Sequence, residues 1–168
     1  MLKTISAGLA LAMIATTASA EIKARTDNSF TLAFERPVLA APETVAMPAR
    51  WWSSDHTYSG DAANIRLDMI PGGCWCEALP GGGVKHAEVL MVWPERRMVR
   101  FDAPFGPLQG MGADAVLTMT WADPPEGGER VLRWTFVVNG PGTGAMADVI
   151  DGVMTEQFRR LGDRLDGL

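Results

Sequence analysis

The residues best suited to chemistry fall in two short stretches. The first is Trp51-Trp52-Ser53-Ser54-Asp55-His56-Thr57-Tyr58-Ser59-Gly60, which holds two of the six tryptophans, the single tyrosine and one of the two histidines. The second is Gly72-Gly73-Cys74-Trp75-Cys76-Glu77, which holds both cysteines. Aromatic bodies with polar tips suit the place where an apolar pocket meets water. Trp51, Trp52, His56, Tyr58, Cys74, Cys76 and Glu77 are therefore the candidate ligand-binding residues.

A histidine oriented by a carboxylate can move protons near neutral pH, so His56 with neighbouring Asp55 is the candidate catalytic pair. Asp55 could equally cap a turn through nearby amides. Cys74 and Cys76 fall on one face of an expected strand. In a regular strand their Cα atoms would lie about 7 Å apart, the limit for a disulfide, so buried free thiols are the first reading. A distorted disulfide, or a weak metal site completed by His56 or His86, are the alternatives. Otherwise no metal or cofactor is expected. Glu77 reads as a surface acid on the convex face of its strand; on the concave face it would need Arg66, Arg100 or Arg133 as a partner. His86 reads as exposed or on the outer face of its sheet.

The elements that must position these residues follow from periodicity. Ser29–Glu35, Asn64–Ile70, Cys74–Leu79, Lys85–Trp93, Met98–Asp102, Ala113–Trp121 and Val131–Val138 alternate as half-buried strands. Trp93, Trp121 and Trp134 sit on their apolar faces. Pro71-Gly72-Gly73, Pro80 to Gly83, Pro94 to Arg97 and Ala122 to Gly128 are turns, and Ala103–Gly112 is a long loop. Pro42-Glu43-Thr44-Val45 can open a short helix that Pro48 must end. Gly140-x-Gly142-x-Gly144 reads as a flexible connection. From Met146 to Leu165 the apolar spacing turns to three and four, an amphipathic helix with arginines late. Met69, Met91, Met119, Met146 and Met154 could line an adaptable apolar surface.

The N-terminus has Lys3, an apolar run from Ile5 to Ile14 and Ala18-Ser19-Ala20, the layout of a secretory leader cut after Ala20. Residues 21–168 then form one domain, periplasmic or secreted. Losing Lys3 leaves fourteen basic residues against twenty acidic. That balance disfavours nucleic acid and anionic lipid as partners, and no membrane association is expected once the leader is gone. G-x-S-x-G, H-E-x-x-H and P-loop patterns are absent from the sequence.

The pattern Pro42-Glu43-Thr44-Val45, Ala49-Arg50-Trp51-Trp52, Gly72-Gly73-Cys74-Trp75-Cys76-Glu77 and a long last helix resembles the START-like (SRPBCC) superfamily. Within it, polyketide cyclase/dehydrase-like proteins and activators of the heat-shock chaperone ATPase are the nearer groups. The resemblance implies an α+β helix-grip fold, also seen in birch-pollen-allergen-like proteins: a curved antiparallel sheet wrapped around a long C-terminal helix. It also implies a cavity between the two for a hydrophobic small molecule. A polyketide cyclase or hydratase using His56, or a chaperone-activator-like interaction protein, are the other functions it implies. The chain departs in one respect. Only Ala46, Met47 and Pro48 separate Val45 from Ala49, so the first helical segment is shortened by roughly two turns, and Trp51 and Trp52 could plug the gap.

Overall fold

The computed structural model describes residues 21–40, 45–123 and 130–168. The expected leader, Pro42-Glu43-Thr44 and most of the acidic Pro/Gly hairpin loop lie outside them. Eight antiparallel strands form one sheet: β1 (Glu21–Thr26), β2 (Ser29–Val38), β3 (Ile65–Leu67), β4 (Cys74–Leu79), β5 (Gly82–Trp93), β6 (Met98–Asp102), β7 (Asp114–Ala122) and β8 (Arg130–Asn139). Their spatial order is β1-β2-β8-β7-β6-β5-β4-β3. A short helix α1 (Pro107–Gly110) interrupts the long loop, and α2 (Ala147–Leu165) ends the chain. The architecture is the expected α+β helix-grip.

The sheet is a meander after one crossover, with β2 pairing β8 to bring the first strands beside the last. Period-two reading missed β1, whose burial hardly alternates because it is an outer strand. The other edge, β3, is three residues long and flanked by the exposed Arg66–Asp68 pair, which guards it against further pairing.

One face of the sheet takes the apolar stripe of α2. Ile150, Met154, Phe158, Leu161 and Leu165 are all buried, and Phe158 is sealed completely. Full burial of a side chain of that size stabilises by roughly 2–3 kcal/mol. Arg36 of β2 ties the far end of the helix through Asp163 at 3.0 Å. Gly144, read from sequence as part of a flexible link, is instead packed without space. A Cβ there would strike the backbone of Thr26 and Asp27, so the glycine lets the approach to α2 lie on the β1–β2 turn.

Two irregularities in β5 undo the strict alternation expected of Lys85–Trp93. Trp75 pairs with Ala87 and Cys76 with Lys85, so His86 is skipped. Val89 pairs with Phe101 and Met91 with Arg100, so Leu90 is skipped. Each bulge turns the following residues to the other face. As a result His86 is buried at 5% exposure, and Trp93, expected in the core, is 44% exposed. The Arg96 guanidinium covers the Trp93 ring at 5.4 Å. Trp134 is core as expected, and Trp121 is partly buried against it.

Candidate functional site: a small apolar cavity between two histidine–carboxylate pairs

The tryptophan segment follows one single turn of 3-10 helix, Pro48–Arg50, and contains a second, Ser54–His56. Pro48 starts the first turn and Trp51 ends it. Trp51 is buried in a nest of rings, edge-on to Trp52, Trp75 and Trp134 at 5.6, 5.7 and 5.9 Å. Trp52 continues the cluster to Phe105 at 5.3 Å. Such tilted and edge-to-face contacts add to the burial of the rings themselves. The two tryptophans are buried in the interior between the sheet and α2, whereas most of the Pro42–Val45 segment, whose shortening they were expected to offset, lies outside the described residues.

Polar contacts fix this segment from both sides. On the α2 side, the Ser53 amide donates to Gln157 Oε1 at 2.8 Å, and Arg160 Nε donates to the Trp51 carbonyl at 2.8 Å. Trp52 Nε1 closes the loop on itself, donating to the His56 carbonyl at 2.9 Å. On the sheet side, the amides of Tyr58 (3.1 Å) and Ser59 donate to the Glu77 carboxylate.

What remains between segment, sheet and α2 is a cavity of about 270 Å³. Trp52, Tyr58, Phe105, Phe136, Ile150 and Met154 supply most of its apolar wall, and His56 and His86 its polar points. Of the five methionines proposed as lining, Met154 alone is at this wall.

His86 Nε2 lies 2.7 Å from Glu77 Oε2, with both side chains buried. Burial alone would push the Glu77 carboxyl up. The bonds from Ser59, Tyr58 and His86 outweigh it and hold that carboxyl below its ordinary value. An ionised carboxylate only accepts, so His86 carries its proton on Nε2. Nδ1 has no hydrogen-bond partner among the described residues. His56 Nε2 lies 3.1 Å from Glu156 Oε2 of α2, both side chains about one-third exposed. Two histidines, each backed by a glutamate, thus border one cavity.

Several sequence expectations need correction. Asp55 is exposed and does not orient His56; Glu156 does, from a residue a hundred positions away that no local pattern connects to it. Glu77 is not a surface acid but a buried one, and its partners are amides and His86. Arg66, Arg100 and Arg133 instead bond Asp68, Thr118 and Glu35. His86, expected outside, is turned inward by the bulge.

Cys74 and Cys76 are joined as a disulfide rather than left as free thiols. Their Cα atoms are 5.3 Å apart, closer than in a regular strand and within bonding range, beside the irregular pairing at Trp75 and Cys76. Among the described residues no group of three or more His, Cys, Asp or Glu could hold a metal ion. Cys74, Cys76 and Trp51 do not reach the cavity, whereas Trp52, His56 and Tyr58 do. Phe105, Phe136 and Ile150 were missed as lining. Periodicity places Phe136 and Ile150 on their faces, but nothing in the sequence marks where packing stops.

No family model matches the sequence, and no curated protein matches it. Solved structures do resemble it. Protein MLL2253 from Mesorhizobium loti is 19% identical, with 81% of this chain and 96% of that chain covered and a TM-score of 0.53. Protein CV1439 from Chromobacterium violaceum is 18% identical, covering 81% and 96%, with a TM-score of 0.52. A point mutant of norcoclaurine synthase from Thalictrum flavum, in complex with a transition state analogue, is 13% identical, covering 82% and 94%, with a TM-score of 0.51. At such identities the likeness shows the fold alone, and the sheet order with α2 agrees with it: this chain has the helix-grip fold.

Proposed function

We propose that this protein binds a small hydrophobic molecule in the cavity between the sheet and α2. The observation that carries the reading is the wall itself: aromatic and aliphatic side chains around about 270 Å³, with His56 and His86 as the convergent polar groups. Ligand pockets commonly span roughly 300–1,000 Å³. A cavity just below that range favours a compact, ring-containing ligand over a sterol or a long acyl chain. His56 and His86 would fix its orientation through a hydroxyl or carbonyl. A protein of the same fold, norcoclaurine synthase, has been solved with a transition state analogue bound, which supports a small-molecule role for the fold.

The same reading includes export. Residues 1–20 serve as a cleaved leader, and the mature domain works in the periplasm or outside the cell, without nucleic acid or membrane as partner. N-terminal sequencing of protein from its native host should begin at Glu21.

The two histidine–carboxylate pairs favour a second reading, an enzyme that moves protons on a cyclisable or hydratable substrate. His86, oriented by Glu77, is the better-built base, and His56 is the second group across the cavity.

The test is direct. Native mass spectrometry of protein from its own host should show a co-purifying small molecule, and an anilinonaphthalene dye should bind with enhanced fluorescence that the molecule displaces. Absence of both would remove the binding reading.

A further inference from the structure

We propose that the Cys74–Cys76 disulfide is a thiol–disulfide exchange site on the outer face of the sheet, with Cys76 as the sulfur attacked. This site is separate from the cavity. Trp75 and Glu77 point inward from β4, so Cys74 and Cys76 point outward, and both are half-buried rather than sealed. The bond closes a loop of a single intervening residue, so it can do little to restrain the unfolded chain. A cross-link with so slight a structural role invites a chemical one.

The surroundings of the two sulfurs differ. Cys76 pairs with Arg66 on β3 and with Lys85 on β5, so two cationic side chains share its face from either side. Cys74 pairs with Glu88. Arg66 and Lys85 also contact Asp68 and Glu88, at 2.8 and 3.0 Å, but these are exposed pairs of small worth.

Beyond Cys76, where Ala78 lies opposite Gly83, an open hollow of about 320 Å³ is bordered by Ala78, Gly82 and Gly83. Arg66, Cys76 and Lys85 border this hollow and Cys74 does not. It lies on the side of Cys76 away from Cys74, where an incoming thiolate must stand to displace the Cys74 sulfur in line. The cations attract an anionic thiol and stabilise Cys76 when it later leaves as thiolate.

The substrate class is a peptide or protein dithiol with acidic neighbours. Its thiolate bonds to Cys76 Sγ, the Cys74–Cys76 bond breaks, and Cys74 leaves with the electron pair and takes a proton. The substrate's second thiol gives up its proton and attacks the substrate sulfur of the mixed disulfide. Cys76 departs with that electron pair and is protonated or stays thiolate. The dithiol is oxidised by two electrons and the protein is reduced to two thiols. A more oxidising disulfide restores it by the reverse steps.

Reduced glutathione, itself an anionic peptide thiol, is the probe. The full chain is incubated with it, quenched in acid and peptide-mapped. Glutathione should be found on Cys76 about tenfold or more over Cys74. Label on Cys74, equal label on both, or a disulfide that excess glutathione leaves intact would overturn the proposal. In the R66Q/K85Q double variant, which alters exposed side chains and spares the core, capture should slow about tenfold at low salt. An unchanged rate in a variant with a wild-type unfolding midpoint would overturn it as well.

Discussion

Glu77 and His86 meet at 2.7 Å across β4 and β5, and each is positioned by something other than its own partner. The bulge delivers His86 to the concave face, while Glu77 also accepts the amides of Tyr58 and Ser59. One carboxylate therefore orients a cavity histidine and anchors the loop that roofs the cavity.

Removing that carboxylate should be costly. In E77A two amides and a buried imidazole lose their acceptor, at about 1–3 kcal/mol for each group left unsatisfied. Urea unfolding should show a loss on the order of 3 kcal/mol or more. A loss under about 1 kcal/mol would mean that water replaces Glu77 freely.

The pH dependence follows from the same bonds. The carboxyl of Glu77 is held below its ordinary value of 4.5 in the folded protein. The unfolded chain therefore takes up this proton first as pH falls. The stabilisation from Glu77 is complete above pH 4.5 and is lost as pH drops below it through the folded value. Unfolding midpoints of wild type and E77Q, measured from pH 7 to pH 3, should converge at the acid end. A constant gap between them would contradict this account.

Filling the cavity should separate binding from folding. Val153 stands on α2 at the cavity and is only partly buried. V153W should abolish dye and ligand binding while shifting stability by less than about 1.5 kcal/mol, because the new ring can occupy existing space. Retained binding at unchanged affinity would place the ligand elsewhere.

Gly144 offers a test of the fold alone. G144A forces a methyl group against the backbone of Thr26 and Asp27, which cannot rotate away. A destabilisation of about 2 kcal/mol or more is expected. G152A, at an exposed helix position with open space around the Cα, should instead stabilise by a few tenths to about 1 kcal/mol. Thermal melts of the two variants should move in opposite directions.

Much of the fold was legible because its strands alternate and α2 repeats at helical spacing. Leu32, Phe34, Leu117, Met119, Trp134 and Phe136 all lie where period two places them. The site was legible in part. Trp52, His56 and Tyr58 announce themselves by residue type. The partners do not: Glu156 reaches His56 through tertiary packing, and His86 reaches Glu77 through a bulge. A bulge is a single unpaired residue with no composition of its own, and it reverses every assignment beyond it. The departure of β4 from regular geometry that puts Cys74 and Cys76 5.3 Å apart is equally silent in the residue types.

The attachment of the tryptophan segment has a mechanical consequence. Gln157, Arg160 and Glu156 hold it to one helix, and Glu77 holds it to the sheet. A strut braced at both ends cannot also be a door. A route into the cavity through this segment would have to break both sets of bonds first.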